Sequence, residues 1–389
     1  MDNFEFFNDT RIIFGRGAED RIGALTARYS KSILWVYGGS SIKRTGQYDR
    51  VAASLKAAGV GYTELPGVMP NPRLSLVYEG IRLCREKDIG FVLAVGGGSA
   101  IDTAKAIAIG AVYDGDVWDF FEEKTEPVKT LPVGTILTIP AAGSESSTSS
   151  VITKEEGQIK RPINYTLLYP KFSILDPELA FTLPKYQMAC GATDILSHLM
   201  ERYFTNSSDV ELSDRLIEST FKTVMHNLPT VLEKPDDYSA WAEIMWSGTV
   251  AHNDLFSSGR ECDWGSHAIE HQLSALYDVA HGAGLAVITP AWMKYVYRHD
   301  VGRFAQFANR VWNIDVDFFH PEKTALEGIA RLEHFLHSIG LTTSLRELTG
   351  DDTRLEEMAD RCTDGDSSTV GKFIPLHRQD VLAVYRLAL

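Results

Sequence analysis

Short apolar runs alternate with helical patterns as far as Leu175, and beyond Pro184 no strand pattern remains. Ile33–Tyr37, Val60–Leu65, Phe91–Val95, Val133–Ile139 and Phe172–Leu175 read as strands, with helical stretches at Gln47–Ala58, Leu74–Lys87 and Ser99–Ile109 between them. Strands alternating with helices imply a mainly parallel sheet covered on both faces, because each parallel crossover lays a helix on the sheet. Ahead of it, Phe4–Phe7 and Arg11–Phe14 flank Asn8-Asp9 and predict a β-hairpin. After Pro184 come helical segments at Tyr186–Phe204, Val210–Leu228, Tyr238–Asn253, Cys262–Leu273, Gly282–Tyr297, Thr324–Ser338 and Arg378–Ala388. A chain of 389 residues accommodates two domains. The expected division is an α/β domain over residues 1–182 and an all-α domain over residues 183–389.

Two glycine-rich turns follow strands of the first domain. Gly96-Gly97-Gly98-Ser99 joins an apolar strand to a helix, with Ser99 as the expected N-cap and Asp102 three residues on. Glycines let the backbone approach an anion closely, and a helix start offers unpaired N–H groups and a positive dipole end. This layout predicts phosphate binding. The earlier turn, Gly38-Gly39-Ser40-Ser41, has Lys43 and Arg44 just behind it. In nucleotide folds an acid near this position accepts from a ribose 2′-hydroxyl, whereas cations accommodate a 2′-phosphate. The turn has two cations and no acid, which favours NADP over NAD.

The helical half carries Asp194 and His198 four residues apart, His267 and His271 again four apart, and His281 directly before Gly282. Residues at that spacing project from one helix face, about 6 Å apart along the axis. Two such helices and one further His can converge on a divalent transition metal. Spacing alone leaves open which member of a pair ligates and which faces substrate. The other histidines, His226, His252, His299, His320, His334, His337 and His377, have no partner at ligand spacing and read as surface or capping residues.

Composition narrows the classes further. The net charge of −14, without a basic run, offers no footprint for nucleic acid or an anionic membrane. No run of eighteen apolar residues exists, so no bilayer span is expected, and the acidic N-terminus lacks a signal layout. A soluble, cytoplasmic protein is expected. Cys84, Cys190, Cys262 and Cys362 lie far apart with no CxxC pair, which argues against thiolate zinc sites and a disulfide framework.

These pieces together resemble the metal-dependent (iron-containing, group III) alcohol dehydrogenase family, from Phe7 to Leu389. The matching elements are Gly96-Gly97-Gly98-Ser99 with Asp102 and Lys105, Thr138 to Gly143-Ser144-Glu145, Asp176-Pro177, Asp194 with His198, and His267 with His271 followed by His281-Gly282. The turn Gly38-Gly39-Ser40-Ser41 with Lys43, Thr45 and Gly46 resembles the NADPH-dependent aldehyde reductase and butanol dehydrogenase branch.

The resemblance implies a dehydroquinate-synthase-like fold, an N-terminal nucleotide-binding domain and a C-terminal metal-binding, catalytic domain, with the cofactor in the cleft between them. It implies one divalent ion, Fe2+ or Zn2+, bound by Asp194, His198, His267 and His281, with His271 beside the nicotinamide as the proton relay. Implied cofactor contacts are Gly38, Gly39, Ser40, Lys43 and Asn71 toward the adenosine, Gly97, Gly98, Ser99 and Asp102 around the phosphates, and Thr138 further along. Lys160 faces either the cleft or solvent. Ala142 stands where the family commonly has Thr, and Ser147 is the candidate substitute for the missing hydroxyl. The implied activity is NADP(H)-dependent interconversion of small aldehydes and primary alcohols in a homodimer joined through an edge strand. A metal- and NAD-dependent lyase or polyol dehydrogenase on the same scaffold is the alternative. Such enzymes need basic residues around the metal, and between Pro184 and Leu285 only Arg260 lies near an expected ligand.

Overall fold

Ile33 through Tyr37 and Phe91 through Val95 are all buried, on both faces of their strands. Continuous apolar runs of this kind are what a parallel sheet packed between helices requires. The computed structural model describes residues 1–389. Its strands are β1 (Arg11–Phe14), β2 (Ser32–Tyr37), β3 (Gly61–Leu65), β4 (Phe91–Gly96), β5 (Val133–Leu137), β6 (Ser149–Lys154), β7 (Ile159–Asn164) and β8 (Phe172–Leu175). Six form one parallel sheet in the order β1-β8-β5-β4-β2-β3, and β6 and β7 form a separate antiparallel hairpin.

The helices of eight residues or more are α1 (Gln47–Ala57), α2 (Leu74–Glu86), α3 (Gly98–Gly110), α4 (Lys185–Tyr203), α5 (Glu211–Glu233) and α6 (Tyr238–Ala251). They continue with α7 (Gly265–Tyr277), α8 (His281–Val296), α9 (Val301–Trp312), α10 (Pro321–Ser338), α11 (Leu355–Cys362) and α12 (Arg378–Leu387). No helix is long and apolar enough to cross a membrane.

Two compact units result. One comprises Phe7–Leu183 with Pro235–Asn253 and carries both sheets; the other comprises Met1–Phe6, Pro184–Lys234 and Asp254–Leu389 and is helical. The fold class is therefore an α/β domain built on a parallel sheet plus an all-α domain.

Three expectations need correction. First, a division at residues 182–183 misplaces α6, which belongs with the sheet. Thr249 on this helix donates to the Glu145 carboxylate at 2.6 Å, and Nδ1 of His252 lies 2.9 Å from the Ala142 carbonyl. Second, no N-terminal hairpin forms. Residues 4–7 are not a strand, and β1 pairs in parallel with β8. The Asn8 side chain accepts from Thr10 N–H at 3.0 Å and donates to the Ser146 carbonyl at 2.9 Å, so it anchors the segment instead of turning it. Third, β6–β7, α9 and α11 went unread. The Ser-rich and Lys-Arg-Pro runs of the hairpin hide its alternation.

Candidate active site

α4 presents Asp194 and His198 one turn apart, α7 presents His267 and His271, and His281 is the first residue of α8. Around Asp194 Oδ1 stand His198 Nδ1 at 3.6 Å, His267 Nε2 at 3.7 Å and His281 Nε2 at 3.8 Å. These separations exceed a hydrogen bond. They are of the size expected between ligands of one shared ion, and the ligand atoms of Asp194, His267 and His281 all lie within 4.8 Å of one another. Asp194 Oδ1 and His267 Nε2 are buried and have no hydrogen-bond partner. Buried polar atoms are seldom left in that state, so the donor set fits a divalent ion, although three imidazoles and a carboxylate do not choose between Fe2+ and Zn2+.

Two carboxylates that sequence reasoning missed stand behind the imidazoles. Glu201 Oε1 is 2.7 Å from His267 Nδ1 and also accepts from Ser266 Oγ at 2.6 Å and His267 N–H at 3.0 Å. Glu270 Oε2 is hydrogen-bonded to His281 Nδ1. Both carboxylates are buried. The signal was present: Glu201 follows His198, and Glu270 follows His267, by three residues on the same helix, a spacing that shares a face. Burial disfavours a charged His267, but Asp194 and Glu201 outweigh it and raise its pKa to about 9. His271 stands beside His281, ring centroids 5.5 Å apart, in a second group with Glu270 and His281.

His198 is stacked on His267 at 4.8 Å, and its backbone carbonyl accepts from Arg202 Nη1 at 2.9 Å. Arg202, fully buried, is a second cation near a ligand, beyond the Arg260 singled out from sequence. Both point into protein. The Arg202 guanidinium packs on the Trp264 ring at 4.7 Å, and Arg260 donates to Asp214 Oδ1 at 2.8 Å and to the Arg202 carbonyl at 2.7 Å.

The two glycine-rich turns lie in the other unit. β4 runs into Gly97, which is the N-cap of α3, so Ser99 sits inside the helix and is not its cap. A Cβ on Gly97 would lie 2.9 Å from Ile139 Cβ, and one on Gly98 2.9 Å from Ala142 Cβ. Glycine is required there by the 139–142 segment, which Thr138 pins through its N–H to the Gly96 carbonyl at 2.9 Å. Asp102 is buried and accepts from Ser144 Oγ at 2.6 Å and Val151 N–H at 3.0 Å. Burial pushes its pKa up despite the Lys105 ammonium. Ser147 is buried, its carbonyl held by Lys105 Nζ at 2.9 Å. Lys160 is buried as well and donates to Asn71 Oδ1 at 3.0 Å, so of its two readings the solvent-facing one fails.

At the end of β2, Gly38 and Gly39 lead to Ser40, whose Oγ accepts from Arg44. The Lys43 ammonium lies 4.8 Å from the Tyr48 ring centroid. An acid does stand nearby, contrary to the view from the turn alone. Glu64 arrives from β3 and accepts from the hydroxyls of Tyr37 and of Tyr48, the latter at 2.7 Å.

Known proteins resemble the chain along its length. The family description "Iron-containing alcohol dehydrogenase" matches residues 9–177, and that of the C-terminal part of the Fe-containing alcohol dehydrogenases matches residues 188–389. A Bacillus subtilis protein named probable NADH-dependent butanol dehydrogenase 1 is 42% identical over 389 residues, 100% of both chains. The NADPH-dependent aldehyde reductase YqhD of Escherichia coli is 34% identical over 352 residues, 89% of each chain. The crystal structure of NADH-dependent butanol dehydrogenase A from Thermotoga maritima superposes with a TM-score of 0.95 at 41% identity, covering 100% of this chain and 99% of that one.

Proposed function

Because the chain belongs to the iron-containing alcohol dehydrogenase family, whose members pair a nicotinamide cofactor with a divalent metal, we propose that it interconverts small aldehydes and primary alcohols with NADP(H). The observation that carries this reading is the convergence of three imidazole nitrogens on the unpaired Asp194 Oδ1 at 3.6–3.8 Å. Asp194, His198, His267 and His281 would hold Fe2+ or Zn2+. When bound, the ion supplies a Lewis acid for the carbonyl oxygen and the dihydronicotinamide supplies the hydride.

The protein's own residues do the rest. Reduction of RCHO by NADPH and one proton gives RCH2OH and NADP+, so the carbonyl oxygen must gain a proton. An imidazole nitrogen of His271, next to His281, supplies it. Gly97, Gly98, Ser99 and Asp102, with Thr138 and Ser147 on the facing segment, form the cradle for the dinucleotide phosphates at the start of α3. Gly38, Gly39, Ser40 and Lys43, together with Asn71 and Lys160, serve the adenosine side.

The NADP preference rests on charge: Lys43 and Arg44 meet the 2′-phosphate, while Glu64 is engaged by two tyrosine hydroxyls. Mixing the metal-loaded protein with butanal and either NADPH or NADH tests both levels of the proposal. Loss of reduced-nicotinamide absorbance with NADPH and far slower loss with NADH is expected. The reverse order would overturn the cofactor preference, and no oxidation of either would overturn the activity. A homodimer joined through an edge strand of the sheet, β1 or β3, completes the proposal and is checked by light scattering of the eluting protein.

A further inference from the structure

His267 and His281 reach the centre from different helices, yet each is held in the same way. Each turns Nε2 toward Asp194 Oδ1 and sets Nδ1 against a buried glutamate, His267 on Glu201 and His281 on Glu270. An imidazole ligand must be neutral, with one nitrogen carrying the proton and the other the lone pair offered to the ion. A carboxylate can only accept, so the nitrogen facing it must be N–H. We propose that Glu201 and Glu270 are positioning residues of the metal centre, locking His267 and His281 as Nδ1–H tautomers with Nε2 aimed at the ion. The inference rests on the reading that Asp194, His198, His267 and His281 bind a metal.

The surroundings of the two glutamates fit that role. Glu201 comes from α4, the helix that carries Asp194 and His198, and reaches across to α7. By also accepting from Ser266 Oγ and His267 N–H, it ties the first turn of α7 to the helix bearing two other ligands. Glu270 comes from α7 itself and reaches the first residue of α8. A Cβ on Gly284 would lie 2.3 Å from Glu270 Oε1, so glycine at that position leaves the space the carboxylate occupies. A chain of contacts from α4 through α7 to α8 thus orients both rings. Two buried negative charges behind the imidazoles also raise their basicity toward a cation.

The test uses Glu201→Gln and Glu270→Gln, which keep side-chain size and remove the charge. Zinc affinity is measured by chelator competition on metal-free protein, with the thermal midpoint of the metal-free form as the folding control. About 10- to 100-fold weaker zinc binding in each variant, in a metal-free form that still unfolds cooperatively, is expected. Affinities within about threefold of the parent would overturn the role. Because a variant can fail to fold, imidazole 15N shifts of the zinc-loaded parent provide a second reading. Protonated Nδ1 and zinc-bound Nε2 on His267 and His281 support the proposal; zinc on Nδ1 of either overturns it. A parent protein that binds no zinc, iron or cobalt would instead remove the underlying metal reading.

Discussion

Gly282 lies against the backbone of Cys190: a Cβ at position 282 would stand 2.0 Å from the Cys190 carbonyl oxygen. Real Cβ atoms do not approach that closely, so α4 and α8 cross at a distance only glycine permits. The crossing point is one residue from His281 and one turn from Asp194, so it sets whether these two can share an ion. Gly282→Ala should push α8 outward. Expected are a loss of stability of about 1–3 kcal/mol or more, as for overpacked interiors, and substoichiometric metal. Calorimetry and metal analysis of the purified variant check both.

A second crossing in the helical unit depends on charge. Asp214 accepts from Arg260 Nη2 at 2.8 Å and from Arg303, and Arg303 also donates to the Tyr203 carbonyl, at 2.7 Å through Nε. Burial works against the Asp214 carboxylate, but the two guanidiniums outweigh it and hold its pKa below the usual carboxylate range. An acid with a depressed folded-state pKa contributes stability that is fully present above its unfolded pKa, near 4, and is lost as pH falls through the folded value. Asp214→Asn leaves two inward-facing cations without their counter-charge. It should cost about 3–5 kcal/mol at neutral pH, with the gap to the parent closing below about pH 4. Urea unfolding across that pH range measures the gap.

The proposed NADP preference has its own lever. Lys43 is held over the Tyr48 ring in the turn after β2, where the proposal has it meet a 2′-phosphate together with Arg44. Lys43→Ala should raise the KM for NADPH by roughly tenfold to a hundredfold, the magnitude of a hydrogen bond to a charged group, and change the KM for NADH little. Equal effects on both cofactors would mean that Lys43 shapes the turn and does not read the phosphate. Steady-state kinetics with each cofactor decide.

How much of this could be read from the chain varied with the kind of interaction. β2 and β4 announce themselves because parallel strands are apolar on both faces, and Asp194 with His198 does so because four residues make one helical turn. The transfer of α6 to the sheet-bearing unit left no local trace, since its Thr249–Glu145 hydrogen bond joins residues 104 apart. β1 looked like half of a hairpin because strand propensity is blind to direction; its partner, β8, comes after every other strand. Ser99 fitted the residue preference of an N-cap, but the close packing of Gly97 and Gly98 on the 139–142 segment starts the helix two residues earlier than that expectation. Glu201 and Glu270 are legible by the same one-turn spacing from His198 and His267, but sequence does not show that each reaches the far nitrogen of an imidazole on another helix.

His271 is where the two proposed roles, ligand and proton donor, can be told apart. It shares α7 with His267 and stands beside His281, but the group centred on Asp194 forms with His267 and His281, whereas His271 falls in the group of Glu270 and His281. If it serves as general acid, His271→Ala should lower kcat for aldehyde reduction by about 100-fold or more while bound metal stays near one per chain. The substrate KM should move far less, since the interaction lost is one made as the oxygen gains charge. Were His271 a ligand, the same substitution would strip the metal, and added zinc would restore neither binding nor turnover. Metal content and kcat measured on one preparation therefore distinguish the roles. Asp194→Ala is the reference variant: removing the oxygen on which three imidazoles converge should empty the site and abolish turnover together.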